Sequence, residues 1–333
     1  MKHNVTTEDQ TVCGEEFIKF DSKDYKKCLD CKLFIEFYYK VFNVLDRTLI
    51  DKLKKQLPLM MKEHFILTNN VARPKGTPQV KRFCFMVHGL NGSPSELKNL
   101  RSVASFYCPD VVFVLSHINK DDTFSKIAVL GERLANEVKK YIKENTSNQD
   151  RLEISFIGHS LGGLIIKASL CHLKEYEKWF KTYMTIGTPH LGAKTSSYTK
   201  NAVINLTSML NKFKNLKELM IKDNDRYLVR LSDQDGVNWF ENFIVICSYN
   251  DGYVPNKSAK LLNNYRPNTE KINKIRDFTF SRLKARNFVR IQYYDPMVHK
   301  GFEKMIGMKS HIDIIFNRHI HHMLMSQLRN YFN

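Results

Sequence analysis

Two short stretches hold residue types that can carry out acyl transfer. "FIGHSLGGL", residues 156–164, sets Ser160 between Gly158 and Gly162 directly after an apolar run. A serine hydroxyl is a weak nucleophile until a base takes its proton and fixed N–H donors hold the charge that develops on the attacked carbonyl. The G-x-S-x-G pattern supplies the sharp strand-to-helix turn that exposes such a serine, and its glycines let backbone crowd around it. "VHGLNGS", residues 87–93, ends an earlier apolar run and opens a helix. Two main-chain oxyanion donors are expected: the N–H of Leu161, which follows the serine, and the N–H of Leu90 in this earlier loop. His88 comes too early for the order serine, acid, histidine. It is expected to hold the oxyanion loop rather than to act as base.

The acid and the base must then lie downstream. "ICSYNDGYVP" places Asp251 just past a later apolar run, at the same edge of the sheet as the serine. Asp233 and Asp235 are rivals within a segment read below as a cap. "GMKSHIDII" offers His311 ahead of the last helical pattern, with His299 as the alternative base. His319, His321 and His322 fall within helical periodicity, and no carboxylate or cysteine joins "HIHH" at metal-ligand spacing. The lone Cys28-x-x-Cys31 pair lacks a second pair at zinc-site spacing. No metal and no cofactor is therefore expected. In the resulting scheme Asp251 orients His311, His311 takes the Ser160 proton, and Ser160 attacks an ester carbonyl while Leu90 and Leu161 hold the oxyanion.

These residues need a scaffold that brings separate loops to one edge. Apolar runs at 82–89, 110–116, 152–158, 182–189, 242–248 and 287–294 read as strands. Most are apolar on both faces and alternate with helical patterns, which predicts an α/β fold with a mostly parallel sheet covered by helices on both sides. In such sheets ligands bind beyond the carboxyl ends of the strands, where Ser160 falls. Ser93 with Glu96 reads as a capping box, with Pro94 at the first helical position. A long helix follows from Ile127 to Ile142, and a closing helix from about residue 312 carries Phe316, Ile320, Leu324, Leu328 and Tyr331. The stretch 193–240 is mostly helical and sits between two strands, so it reads as a cap over the site. Residues 1 to about 24 are polar and read as loose. A helical stripe over 26–66 (Phe34, Phe37, Tyr38, Val41, Phe42, Leu45, Leu49) leads to the linker "NNVARPKGTPQ". The division is thus a helical N-terminal segment and linker over 1–78 and a hydrolase domain over 79–333.

Composition narrows the partners. The chain of 333 residues is 43% hydrophobic, enough for a core, and carries a net charge of +18 that attracts anionic surfaces. Lys271, Lys274, Arg276, Arg282, Lys284, Arg286 and Arg290 concentrate between 271 and 290, either as a contact for anionic lipid or as a solvated loop. No zinc-finger or RNA-recognition signature accompanies the charge, so nucleic acid is not an expected partner. Seven cysteines without regular spacing do not form a disulfide framework, and Cys84 and Cys247 read as buried thiols. "MKHNVTTEDQ" has no apolar signal region, and no apolar stretch reaches the length of a membrane span. The expectation is a cytoplasmic protein, peripheral on membranes or lipid droplets, with no obligate protein partner.

Five stretches, "HGLNGSPSELKNL", "FIGHSLGGLIIKA", "GTPHLG", "YNDGYVP" and "SHIDII", together resemble the eukaryotic putative serine esterase domain family of lipase-like α/β-hydrolases. The similarity runs from about residue 82 to the end and includes "KDNDRYLVRLSDQDGVNWFENFIVI". It implies an α/β-hydrolase fold with Ser160 as nucleophile, Asp251 as acid and His311 as base, a structural His190, and hydrolysis of esters or lipids. The same residues would serve a protein thioesterase or depalmitoylase. A catalytically silent hydrolase fold used for binding is the alternative outside enzymes.

Overall fold

The computed structural model describes residues 15–21, 80–147, 150–192, 218–219, 227–249, 251–262, 270–282, 287–294, 311–312 and 314–333. All six expected strands are present: β2 (Val80–Val87), β3 (Val111–Leu115), β4 (Arg151–His159), β5 (Phe180–Ile186), β6 (Asn242–Ser248) and β7 (Asn287–Tyr294). With β1 (Glu15–Asp21) they form a seven-stranded sheet in the order β1-β7-β6-β5-β4-β2-β3. Every neighbouring pair is parallel. From β2 onward this is the strand order of an α/β-hydrolase, with the serine turn after the central strand β4.

The sheet is buried on both faces because adjacent residues in a strand point to opposite sides. Phe85, Phe156, Tyr183, Phe243 and Phe288 pack into one core with α2 (Ile127–Asn145) and α3 (Leu161–Ser169). Their successors Met86, Ile157, Met184, Ile244 and Val289 pack into a second core with α1 (Lys98–Tyr107) and, near the C-terminus, α7 (Arg318–Leu328). Three shorter or peripheral helices complete the described set: α4 (Tyr227–Asp233), α5 (Asn256–Ala259) and α6 (Glu270–Arg282). Cys84 and Cys247 are buried free thiols.

Four local readings change. Residues 15–21 are not loose: they form the outer edge strand, paired in register with Phe288 to Tyr294. An edge strand needs only one neighbour, and the charged residues among EEFIKFD break up any continuous apolar run. Ser93 caps no amide with its side chain, and its hydroxyl bonds to Ser95 instead. The element it opens is a 3-10 turn, Pro94–Leu97, rather than the first turn of an α-helix. The closing helix starts afresh at Arg318, where Asn317 accepts the N–H groups of His319 and Ile320. Phe316, ahead of that break, is exposed. Of the basic run at 271–290, the described parts lie in α6 and β7, and Arg290 is buried. Its guanidinium lies 4.5 Å from the Phe288 ring centre and donates to the carbonyl of Lys260. Arg290 is therefore occupied inside the fold and unavailable to a lipid surface.

The segment 26–66 expected to be helical lies outside the described residues, as does most of the 193–240 stretch expected as a cap. In the described part of that stretch, the Glu218 carboxylate accepts the N–H of Ile127, the first amide of α2. Leu228, Leu231 and Val237 are buried in the core there.

Helix α3 carries one unusual core residue. Lys167 is buried, its ammonium reaching Thr279 of α6 at 3.4 Å. Loss of water pushes its amine down to about 7, against an ordinary 10.5. Below about pH 7 the fold must bury this charge. Between that value and 10.5 the unfolded chain binds more protons than the folded one, so stability gains from this site as pH rises. Lys167→Met should melt above the parent at pH 6, and the gap should close as pH approaches 10. A gap independent of pH in thermal melts would show that the amine carries no such penalty.

Candidate active site

The loop after β4 is shaped by backbone that side chains cannot enter. Ser160 adopts φ 52°, ψ −122°, a conformation that strains a residue with a Cβ. Its neighbours make room. A Cβ on Gly158 would fall 2.5 Å from the nitrogen of Gly163, one on Gly162 2.2 Å from the carbonyl of Val87, and one on Gly163 2.2 Å from Thr188 Oγ1. A Cβ on Gly89, from the β2 loop, would lie 2.8 Å from Ser160 Cβ itself. The turn is then tied to β5, since Ser160 N–H donates to Ile186 O at 2.8 Å and Thr188 Oγ1 donates to Ser160 O at 2.9 Å.

The two expected oxyanion residues flank this point. Leu161 opens α3, and the first amides of a helix have no partner within it. Leu90 follows Gly89, the residue packed on Ser160. Its loop is held by Gly92 N–H donating to Gly89 O and by Asn91 N–H donating to Thr123 Oγ1. Among the described residues, no hydrogen bond engages the N–H of Leu90 or of Leu161.

Asp251 and His311 meet although 60 residues separate them. His311 Nδ1 lies 2.6 Å from Asp251 Oδ2, and both side chains are almost fully buried. The other carboxylate oxygen, Oδ1, accepts the N–H groups of Tyr253 and Val254 at 2.9 and 2.8 Å. A carboxylate so used is acceptor-only, which puts the proton on His311 Nδ1 and leaves Nε2 with a lone pair. Gly187 lies against this pair: at φ +59° its absent Cβ would sit 3.2 Å from the His311 ring and 3.4 Å from Asp251 Oδ2. Gly187 directly follows Ile186, the residue bonded to Ser160 N–H, so serine turn and His311 share one stretch of β5 backbone. No hydrogen bond joins Ser160 Oγ to His311 among the described residues. Such contacts are often long before a substrate binds.

Of the rival residues, Asp233 ends α4 and Asp235 follows it, and His299 lies outside the described residues. His88 is buried beside Gly89 and Gly92, and burial lowers its imidazole. His190 is also buried, paired with Thr185 Oγ1 at 2.9 Å and pushed down to about 3 by burial. Two neighbours escape sequence reading altogether. His159, the residue before the serine, lies with its ring centre 5.0 Å from that of His311, and Tyr253 presents its ring at 5.4 Å. Both contacts depend on which strands end side by side, for which one sequence holds no local signal.

The residues that form the turn, the β2 loop and the Asp251 segment fall in a recognised family. Residues 77–261, more than half of the chain, match the model of the family described as putative serine esterase (DUF676), and the chain belongs to that family. His311 lies beyond the matched residues. The chain is 30% identical over 212 residues to the putative lipase YDL109C of Saccharomyces cerevisiae, covering 58% of this chain and 32% of that protein. It is 28% identical to triacylglycerol lipase 2 of the same yeast over 86 residues, 26% of each chain. The matches thus span about a third or less of those relatives' length. Similarity to solved structures is looser: for the Streptomyces coelicolor thioesterase RedJ, at 12% identity over 79% of this chain and 97% of that one, the TM-score is 0.42. The fold assignment therefore stands on the strand order.

Gly187→Ala tests the shared backbone. A residue other than glycine in this left-handed region costs about 1–2 kcal/mol, and the added methyl presses on His311. Urea unfolding should show a stability loss of that order; an unchanged midpoint would show that the backbone relaxes freely there.

Proposed function

We propose that the chain is a serine hydrolase cleaving carboxylic esters, lipid esters among them, through a Ser160–His311–Asp251 triad and an acyl-enzyme intermediate. One observation carries this reading: the buried bond between Asp251 and His311, packed on the same β5 backbone that holds the strained Ser160 turn. Asp251 fixes the tautomer of His311 and offsets the positive charge the ring acquires. His311 Nε2 takes the proton as Ser160 Oγ bonds to the ester carbonyl carbon. The carbonyl oxygen becomes an oxyanion between the Leu90 and Leu161 amides. Collapse breaks the bond to the alcohol, which leaves with the proton from His311. Water, deprotonated by the same imidazole, then attacks the acyl-enzyme and releases the acid.

Membership of a serine esterase family supports ester hydrolysis, and the names of the yeast relatives support a lipid ester as substrate. The hydrolase unit is assigned to residues 79–333, with the stretch 193–240 as its cap and β1 added at the edge. Among the described residues no helix is long and apolar enough to cross a membrane. The net charge of +18 supports peripheral adsorption to anionic lipid.

A fluorophosphonate should label the folded protein at Ser160 and leave Ser160→Ala unlabelled. Asp251→Asn should lower kcat on a soluble p-nitrophenyl ester by about three to four orders of magnitude, as a histidine held in the wrong tautomer does. Labelling elsewhere, or Asp251→Asn turnover at the parent level, would remove the triad. Activity on anionic vesicles should fall steeply as salt rises, since screening shortens the reach of surface charge. A flat salt response would remove the membrane contact and leave the esterase.

A further inference from the structure

We infer that His159 is the positioning residue for His311, gripping its main chain and its ring from the serine side. The inference rests on the proposed triad and adds a residue to it. Asp251 fixes one atom of His311, Nδ1. That bond alone leaves the imidazole free to swing about the line through Nδ1, and its other nitrogen must stay aimed at Ser160. His159 holds the main chain that carries the ring and packs against the ring itself. Its Nε2 lies 3.3 Å from the main-chain carbonyl of His311, and its ring lies 5.0 Å from the His311 ring with the planes inclined at 41°. Because a carbonyl only accepts, His159 Nε2 carries the proton and Nδ1 is bare. That Nδ1 is buried with no hydrogen-bond partner among the described residues, an unusual state for a buried polar atom. An apolar side chain would avoid the defect, and histidine retains it because its opposite nitrogen is needed as a donor.

The location makes the grip direct. His159 is the last residue of β4 and the immediate neighbour of Ser160, so one peptide unit links the serine to the residue that holds the base. Its electrical state suits the task. Burial, and then the neighbouring His311, push the His159 imidazole down to about 3, so the ring stays uncharged at neutral pH. When His311 takes a proton it then has an uncharged ring beside it rather than a second charge.

Three variants and one measurement on the parent protein test this, with turnover of a p-nitrophenyl ester as readout. His159→Leu removes donor and ring. Its kcat should fall on the order of 10- to 100-fold with KM within about twofold, because alignment and not binding is lost. His159→Phe keeps the ring alone and should also be impaired. His159→Gln keeps a side-chain N–H near the Nε2 position and should recover most of kcat. His159→Leu with parental kcat, or His159→Gln no better than His159→Leu, overturns the inference. Where the variants do not fold, imidazole nitrogen shifts in the parent protein decide: a neutral Nε2–H tautomer of His159 down to pH 5 upholds it, and an Nδ1–H tautomer or titration near 6.5 overturns it. Failure of the parent protein to hydrolyse the ester or to take up fluorophosphonate would strike the triad itself, and the tautomer of His159 would still be readable.

Discussion

The conformation of Ser160 is the constraint to which the surrounding structure answers. A left-handed turn with a Cβ is strained by about 1–3 kcal/mol and persists only where its surroundings fix it. Here β2, β4, β5 and α3 all come into backbone contact at one point. Gly158 abuts Gly163, Gly162 abuts the carbonyl of Val87, and Gly89 abuts Ser160. Two hydrogen bonds, to Ile186 O and from Thr188, hold the turn in place and at about 1 kcal/mol each roughly offset its strain. A side chain at any of these glycines would push apart elements that carry the Leu90 loop, the serine or His311. The burial of the sheet on both faces serves the same end, because a loop at a strand end is only as fixed as the strand.

The surroundings of His311 are also quiet electrically. His159, whose ring packs beside that of His311, is buried and shifted toward the neutral form, chiefly by loss of water. The carboxylate of Asp251 is held by two main-chain amides as well as by His311. Among the described residues, a positive charge formed on His311 would meet the Asp251 carboxylate and the rings of His159 and Tyr253. This arrangement suits a base that must gain and lose a proton within one cycle.

Much of the scaffold is legible in the sequence because burial on both faces leaves continuous apolar runs. All six such runs are strands, two of them, Asn242–Ser248 and Asn287–Tyr294, with the same bounds. Glu15–Asp21 is not legible, since its charged residues interrupt the apolar run that marks the other strands. The Ser93 capping box fails because its hydroxyl has a nearer partner in Ser95. Phe316 fits the helical stripe yet is exposed, because Asn317 starts the helix again one residue later. Of the candidate site, Ser160, Leu161 and the Leu90 loop stand out in the sequence because their pattern is local, and Asp251 because it follows an apolar run. His159 and Gly187 cannot be picked out as neighbours of His311. Their contacts arise from β4, β5 and β6 lying side by side, a property of strand order rather than of residue spacing.

The central claim is that the acyl group passes through Ser160. Its most direct test is to mix the protein with an activated ester whose acyl group leaves slowly, quench in acid during turnover, and map the added mass by peptide mass spectrometry. The account predicts the acyl mass on the peptide containing Ser160, formed at the rate of the initial alcohol burst. Steady turnover with no added mass and no burst, or an adduct on another residue that turns over at the same rate, would contradict it.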